Sequence, residues 1–152
     1  MEKVLVTGGS GFIALHCIDQ LLKKGYRVRT TIRSESRIDE IKKAMNQYPN
    51  LDQNLEFHIC DLLEDNGWDE AVNGCKYVLH VASPFSVTEP NNEDEYIKPA
   101  CEGTIRALKS AQKAKVKRIV LTSSTVTMMG EIYDSNQDTG IVDAKSWTDP
   151  NS

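Results

Sequence analysis

The sequence predicts an α/β fold built on a doubly wound, parallel sheet. Three observations lead there. Short apolar runs alternate along the chain with segments of helical spacing. The first run passes directly into the glycine-rich turn Thr7-Gly8-Gly9-Ser10-Gly11, which opens a helix. The length, 152 residues, suits one ordinary domain. Five strands separated by helices imply parallel pairing through right-handed crossovers. A strand order of 3-2-1-4-5 would place a ligand crevice beside strands 1 and 4.

Residues 3–7 are mostly apolar, as a strand covered on both faces should be. From Phe12 the period changes. Leu15, Ile18 and Leu22 fall on one helical stripe with Ala14 and Leu21 beside it, and Gly25 after Lys23-Lys24 stops the helix. Residues 27–33 alternate Val28, Thr30 and Ile32 against Arg27, Arg29, Thr31 and Arg33, which predicts a second strand. A polar helix is expected from about 36 or 38 to 47, ended by Tyr48-Pro49. Residues 55–60 read as the third strand, 67–73 as a short helix closed by Gly74, and 76–82 as an apolar fourth strand. Residues 83–92 carry Pro84, Pro90 and Asn91-Asn92 and read as a loop. A long helix follows over about 93–114, with Pro99 marking a kink or the first turn. Residues 118–122 form the fifth strand, and after Gly130 the chain is polar and aperiodic.

Composition narrows the class of function. A net charge of −4 with no lysine or arginine cluster argues against a nucleic acid partner. No apolar run approaches a membrane span. Cys17, Cys60, Cys75 and Cys101 are far apart and form no CxxC pair, so no metal site is expected and the thiols should pack as small hydrophobes. The chain passes from Met1 straight into a strand, without a charged leader, and a reducing, cytoplasmic location is the expectation.

The turn carries the chemistry. Gly8-x-x-Gly11-x-x-Ala14 supplies a tight turn out of the strand, a close backbone approach for a pyrophosphate and a small residue where helix meets strand. The helix N-terminus then faces the anion. No Gly-Lys-Ser/Thr follows, which argues against an ATPase-type loop. Selection of NAD uses a carboxylate about 20 residues beyond the glycines. Here Thr30-Thr31-Ile32-Arg33-Ser34 occupies that place and Arg33 stands at the strand end. A guanidinium there suits a 2′-phosphate, so NADP is preferred to NAD. Arg37 is a weaker candidate that reads more simply as an exposed helix residue.

Thr7-Gly8-Gly9-Ser10-Gly11-Phe12-Ile13-Ala14 resembles the fingerprint of the extended short-chain dehydrogenase/reductase superfamily, whose cofactor domain is of the Rossmann type. Asp61-Leu62, His80-Val81-Ala82-Ser83-Pro84, Gly103-Thr104 and Thr122-Ser123-Ser124 follow in the order that superfamily shows. His80-Val81-Ala82-Ser83-Pro84 and Thr30-Thr31-Ile32-Arg33 are most similar to its dihydroflavonol reductase and cinnamoyl-CoA reductase branch, which includes microbial aldehyde and ketone reductases. The resemblance implies cofactor contacts at Thr7, Gly8, Gly11, Phe12, Ile13, Arg33, Asp61, Leu62, Val81, Ala82, Ser83 and Ser123. Asp61 would accept from the adenine amino group, Leu62 would pack beside it, and Val81, Ala82 and Ser83 would line the ribose side. Ser124 would match the catalytic serine that hydrogen-bonds the substrate carbonyl oxygen. Simpler readings remain for each: Asp61 as a turn cap, Ser123 and Ser124 as partners of loop backbone, and His80 as a core histidine.

The same resemblance calls for Tyr-x-x-x-Lys. Tyr26, Tyr48, Tyr77, Tyr96 and Tyr133 are followed four residues on by Thr30, Asp52, Val81, Ala100 and Gln137. Residues 142–150 resemble the segment just before that tyrosine. The expectation is therefore one domain over 1–152, the N-terminal portion of a larger unit, with the substrate part absent and the sheet truncated after its fifth strand. Such a sheet should self-associate through its exposed edge. Three functions fit: the NADP-binding part of an oxidoreductase moving hydride to an aldehyde or ketone, a non-catalytic dinucleotide-binding or sensor module, and an NAD-dependent nucleotide-sugar epimerase or dehydratase. The last usually carries an acid where residues 30–33 lie.

Overall fold

The computed structural model describes residues 1–84, 92–129, 143 and 146–148. The chain divides into two units, Met1–Leu121 and Thr122–Ser152. The first holds a five-stranded sheet of β1 (Lys3–Val6), β2 (Arg27–Ile32), β3 (Leu55–Ile59), β4 (Tyr77–His80) and β5 (Arg118–Leu121), in the order β3-β2-β1-β4-β5. Every neighbouring pair is parallel. The expected order is thus the observed one, and the strand order reverses between β1 and β4.

The helices are α1 (Phe12–Lys23), α2 (Ile38–Ala44), α3 (Leu51–Asn54), α4 (Trp68–Val72) and α5 (Asp94–Lys113), with a 3-10 turn at Glu35–Arg37 ahead of α2. Two differ from expectation. The polar helix ends at Ala44, not 47, and α3 is an additional turn that runs directly into β3. Asn50 opens α3 with φ of 57°, a left-handed conformation that asparagine tolerates. Four residues are too few for a period to be read. Pro99 lies in the second turn of α5 and is buried there. Its ring removes the amide that would have bonded the Glu95 carbonyl.

Each face of the sheet has its own core. Val6, Ala14, Ile18, Val28, Ile32, Ile41 and Leu55 join α1 and α2 to one face. Leu5, Trp68, Ala71, Val72, Val78, Ala107 and Ala111 join α4 and α5 to the other. α5 turns small residues inward, with Gly103, Ala107, Ser110 and Ala111 buried, which lets it lie close to α4. β5 is one of the two edge strands, and its Val120 and Leu121 remain about half exposed. Cys60 and Cys75 are buried as expected, and burial pushes the Cys60 thiol up to about 12. Cys101 departs from expectation: it lies exposed on α5, on the helix face turned away from the buried Ala107 and Ala111. Residues 85–91, most of the predicted loop, lie outside the described residues, as does most of the chain after Gly130.

At the N-terminal edge of the sheet, Lys3, Arg27 and Arg29 lie side by side on β1 and β2. Glu56 of β3 accepts from all three, at 2.8, 3.0 and 2.9 Å. Arg29 also donates to the carbonyls of Glu70, Ala71 and Asn73 and so finishes the end of α4. Burial raises the Glu56 carboxyl, but hydrogen bonds from Lys3 and Arg29 outweigh it and hold the group below its ordinary value of 4.5. A carboxyl lowered by folding adds stability above its unfolded value and loses it as pH falls through its folded one. Urea unfolding of the parent should therefore show stability falling as the pH drops below about 4.5. Glu56→Gln should lower stability at neutral pH and flatten that acid slope.

Candidate functional site

The C-terminal ends of all five strands share one edge because the sheet is parallel, and the glycine turn emerges there between β2 and β4. The turn is held from both sides. On the β2 side, Thr31 accepts the Gly8 amide on its hydroxyl at 3.0 Å and the Gly9 amide on its carbonyl at 2.8 Å. On the β4 side, the Thr7 amide donates to the Leu79 carbonyl at 3.0 Å, and the Thr7 hydroxyl accepts from the Val81 and Ala82 amides at 3.0 and 2.9 Å. Gly8 has φ of 72°, a conformation that favours glycine.

These bonds decide which amides can meet an anion. Gly8 and Gly9 donate to Thr31, and the Gly11 amide donates to the Gly8 carbonyl at 2.8 Å. Phe12 and Ile13, in the first turn of α1, have no carbonyl one turn back to bond. The Gly11 cap offers no side chain, and the first turn holds no acidic residue. The helix start is therefore uncapped and carries its positive dipole end unopposed. A methyl group at Gly11 would approach only the Gly8 carbonyl oxygen, at 3.2 Å, so the space over it is open. An open, uncapped helix start of this kind suits an anion. Phe12 and Ile13 expose their side chains and can contribute through backbone.

Thr7 and Gly9 depart from expectation. Thr7 is fully buried with its hydroxyl engaged inside the protein, so its side chain presents no surface to a ligand. Gly9 is absent from the expected set, yet a methyl there would sit 2.1 Å from the Thr30 hydroxyl oxygen. Thr30 itself is buried and donates to the Val6 carbonyl at 2.7 Å, so it has no room to withdraw. The same bond would be hard to see in a sequence, because it joins residues 24 apart.

Arg33 follows β2 on the same edge and is exposed. Among the described residues it makes no hydrogen bond or ion pair. Arg37 pairs with Glu40 at 2.8 Å, in agreement with its reading as an exposed helix residue. Ser34 caps the 3-10 turn by accepting the Ser36 amide. Asp61 leaves β3 at the same edge and accepts the Leu63 amide at 2.9 Å, the capping role open to it. Its loop is pinned by two side chains that motif reading passes over. Trp68 donates its indole N–H to the carbonyls of Asp61 and Glu64 at 3.0 and 3.1 Å, and Arg106 donates to the Leu62 carbonyl at 2.9 Å. A buried Trp needs a partner for its N–H, which is the signal that could have found it. Leu62 packs against Gly103 so closely that a methyl there would fall 2.6 Å from it. Val81 and Ala82 are partly buried and Ser83 is exposed beside the turn.

Ser123 and Ser124 belong to the second unit. Ser124 accepts the Val126 amide on its hydroxyl at 3.3 Å, and its carbonyl accepts the Thr127 amide and hydroxyl at 3.2 and 2.6 Å. The Ser123 and Thr127 hydroxyls lie 3.4 Å apart. Both serines are exposed and serve the helical turn at 126–129. Among the described residues, no group of three His, Cys, Asp or Glu side chains could hold a metal, and no helix is long and apolar enough to cross a membrane.

A parallel sheet with a glycine turn at its topological switch defines a Rossmann-type domain. The chain belongs to the NAD dependent epimerase/dehydratase family, which it matches over residues 4–150. It is 41% identical over 138 residues to dihydroflavonol 4-reductase of Dianthus caryophyllus, covering 88% of this chain and 38% of that protein. It is 40% identical over 146 residues to aldehyde reductase 2 of Sporidiobolus salmonicolor, covering 95% and 41%. Its structure resembles yeast methylglyoxal/isovaleraldehyde reductase Gre2 complexed with NADPH, with a TM-score of 0.82 and 29% identity over 96% of this chain and 44% of that one. The chain thus spans about two fifths of the length of these curated relatives.

The two turn glycines should respond differently to a methyl group. Gly9→Ala should cost about 1–3 kcal/mol, as overpacked sites do. Gly11→Ala, with φ of −80° and ψ of 151° and only one neighbour to move, should cost clearly less. Paired denaturant unfolding curves check the contrast.

Proposed function

We propose that residues 1–152 bind NADP(H) and form the cofactor-holding part of an oxidoreductase that reduces a small aldehyde or ketone. One observation carries the reading: the uncapped start of α1 faces open space over Gly11, while Arg33 stands unpaired on the same sheet edge. The relatives add support, being reductases by name, and Gre2 of yeast and of Candida albicans has each been solved with NADPH.

In this reading the Phe12 and Ile13 amides meet the pyrophosphate beside Gly8 and Gly11. The Arg33 guanidinium meets the 2′-phosphate. Asp61 accepts from the adenine amino group, with Leu62 against the ring, and Val81, Ala82 and Ser83 serve the ribose side. Ser124 orients the substrate carbonyl oxygen. When bound, the cofactor supplies hydride. Thr7 acts from beneath the site, through the backbone it holds.

A second reading is a dinucleotide-binding module without catalysis of its own. It needs only the open helix start and Arg33 and asks for no proton donor within residues 1–152. NADPH oxidation with a panel of aldehydes and ketones separates the two. An NAD-dependent nucleotide-sugar epimerase or dehydratase would select NADH, against the absence of a carboxylate in residues 30–33.

Fluorescence titration with NADPH and NADH tests the binding claim. Gly11→Asp should abolish binding of both, by filling the cradle with a like charge. Arg33→Ala should weaken NADPH about 10- to 100-fold, as loss of a charge-assisted hydrogen bond does, and leave NADH unchanged. Equal affinity for both nucleotides, unmoved by Arg33→Ala, would overturn the NADP assignment.

A further inference from the structure

The Thr7 hydroxyl sits among three nitrogen atoms. The Val81 and Ala82 amides lie 3.0 and 2.9 Å away, and Nδ1 of His80 lies 3.0 Å away. A hydroxyl has one proton and two lone pairs. Amides only donate, so the two of them take both lone pairs. The hydroxyl proton must therefore go to His80, and Nδ1 must be the acceptor. This fixes the imidazole as neutral with its own proton on Nε2. Burial acts in the same direction by lowering the His80 pKa.

The imidazole is costly where it stands. His80 is 1% exposed, and its Nε2 has no hydrogen-bond partner among the described residues. A buried, unpartnered N–H is destabilising. A phenyl ring would fill the same space in β4 without that penalty. What a phenyl ring lacks is the acceptor at the Nδ1 position.

The acceptor matters because of what Thr7 holds. β4 leaves the sheet at His80, and Val81 and Ala82 run directly against the glycine turn. A methyl on Gly8 would lie 3.0 Å from the Ala82 Cα, so the two backbones are in contact. The position of Ala82 thus sets one wall of the turn, and Thr31 sets the other. Without its acceptor, the Thr7 hydroxyl proton is left unbonded in the interior or rotates toward one of the amides, and nothing then keeps both lone pairs directed at Val81 and Ala82.

We propose that His80 is a positioning residue for the dinucleotide cleft: by accepting the Thr7 proton it commits both oxygen lone pairs to the Val81 and Ala82 amides and so holds the exit of β4 against the glycine turn. The inference rests on the dinucleotide reading above. It assigns to His80 no contact with cofactor or substrate.

The test compares His80→Phe, which keeps a ring and removes the acceptor, with His80→Asn, whose Oδ1 falls where Nδ1 was. NADPH affinity is read by fluorescence titration, and the imidazole tautomer and the Gly8 and Ala82 amides are read by ¹⁵N NMR. The parent should show Nδ1 unprotonated and Nε2 protonated. His80→Phe should bind NADPH about tenfold more weakly, the equivalent of one lost hydrogen bond, with the Gly8 and Ala82 amide signals displaced. His80→Asn should recover most of the affinity. A parent proton on Nδ1, or a His80→Phe protein that binds NADPH as tightly as the parent, would overturn the proposal. Should His80→Phe fail to fold, the parent tautomer and the His80→Asn affinity decide it. A parent that binds no NADPH would overturn the cofactor reading instead, while the tautomer and the amide signals would still report whether His80 fastens β4 to the turn.

Discussion

A turn made largely of glycine has almost no side chains with which to hold itself in place, and glycine loses more freedom on folding than any other residue. Everything at the upper edge of this sheet depends on how that is met. Here the neighbours' threonines do the holding. Thr31 takes the Gly8 and Gly9 amides from the β2 side, Thr30 fills the space beneath Gly9, and Thr7 ties the exit of β4 to the turn. Because these groups are buried, each bond works in a medium where leaving it unmade is costly. The amides left over at the start of α1, those of Phe12 and Ile13 among them, are the ones an anion can use.

The bottom of the sheet solves a different problem. Lys3, Arg27 and Arg29 would repel one another across adjacent strands, and Glu56 gathers all three. Arg29 carries the same interaction on to the end of α4. Exposed pairs such as Lys42 with Asp52 are worth at most about 1 kcal/mol. The two apolar cores, with Trp68 as the largest buried side chain, therefore dominate what holds the helices on the sheet. Hydrogen bonds at the base and at the upper edge thus flank the crevice expected at the β1–β4 switch point.

Membership of the NAD dependent epimerase/dehydratase family and likeness to reductases agree with that crevice. The division of labour within it is uneven. Arg33 and the start of α1 stand open, whereas Thr7 and His80 are buried beneath them. Asp61 and Leu62 hold an intermediate place, on a loop whose carbonyls are fixed by Trp68 and Arg106. A motif lists such residues together because they are adjacent in sequence; the fold separates those left open at the edge from those buried beneath it.

By itself the sequence determined the succession of five strands with helices between them, the position of the glycine turn and the basic residue at the end of β2. Those features are written in local periodicity and in residue types whose backbone needs are local. It could not show α3, which is a single turn, nor that the helix after β2 stops at Ala44. It could not show that Gly9 is locked against Thr30, or that the Gly8 and Gly9 amides are already taken by Thr31. Nor could it pair Thr7 with a histidine 73 residues away. Those contacts arise only when parallel strands bring distant segments side by side, so the tertiary structure alone decided which atoms of the turn remain free for a ligand.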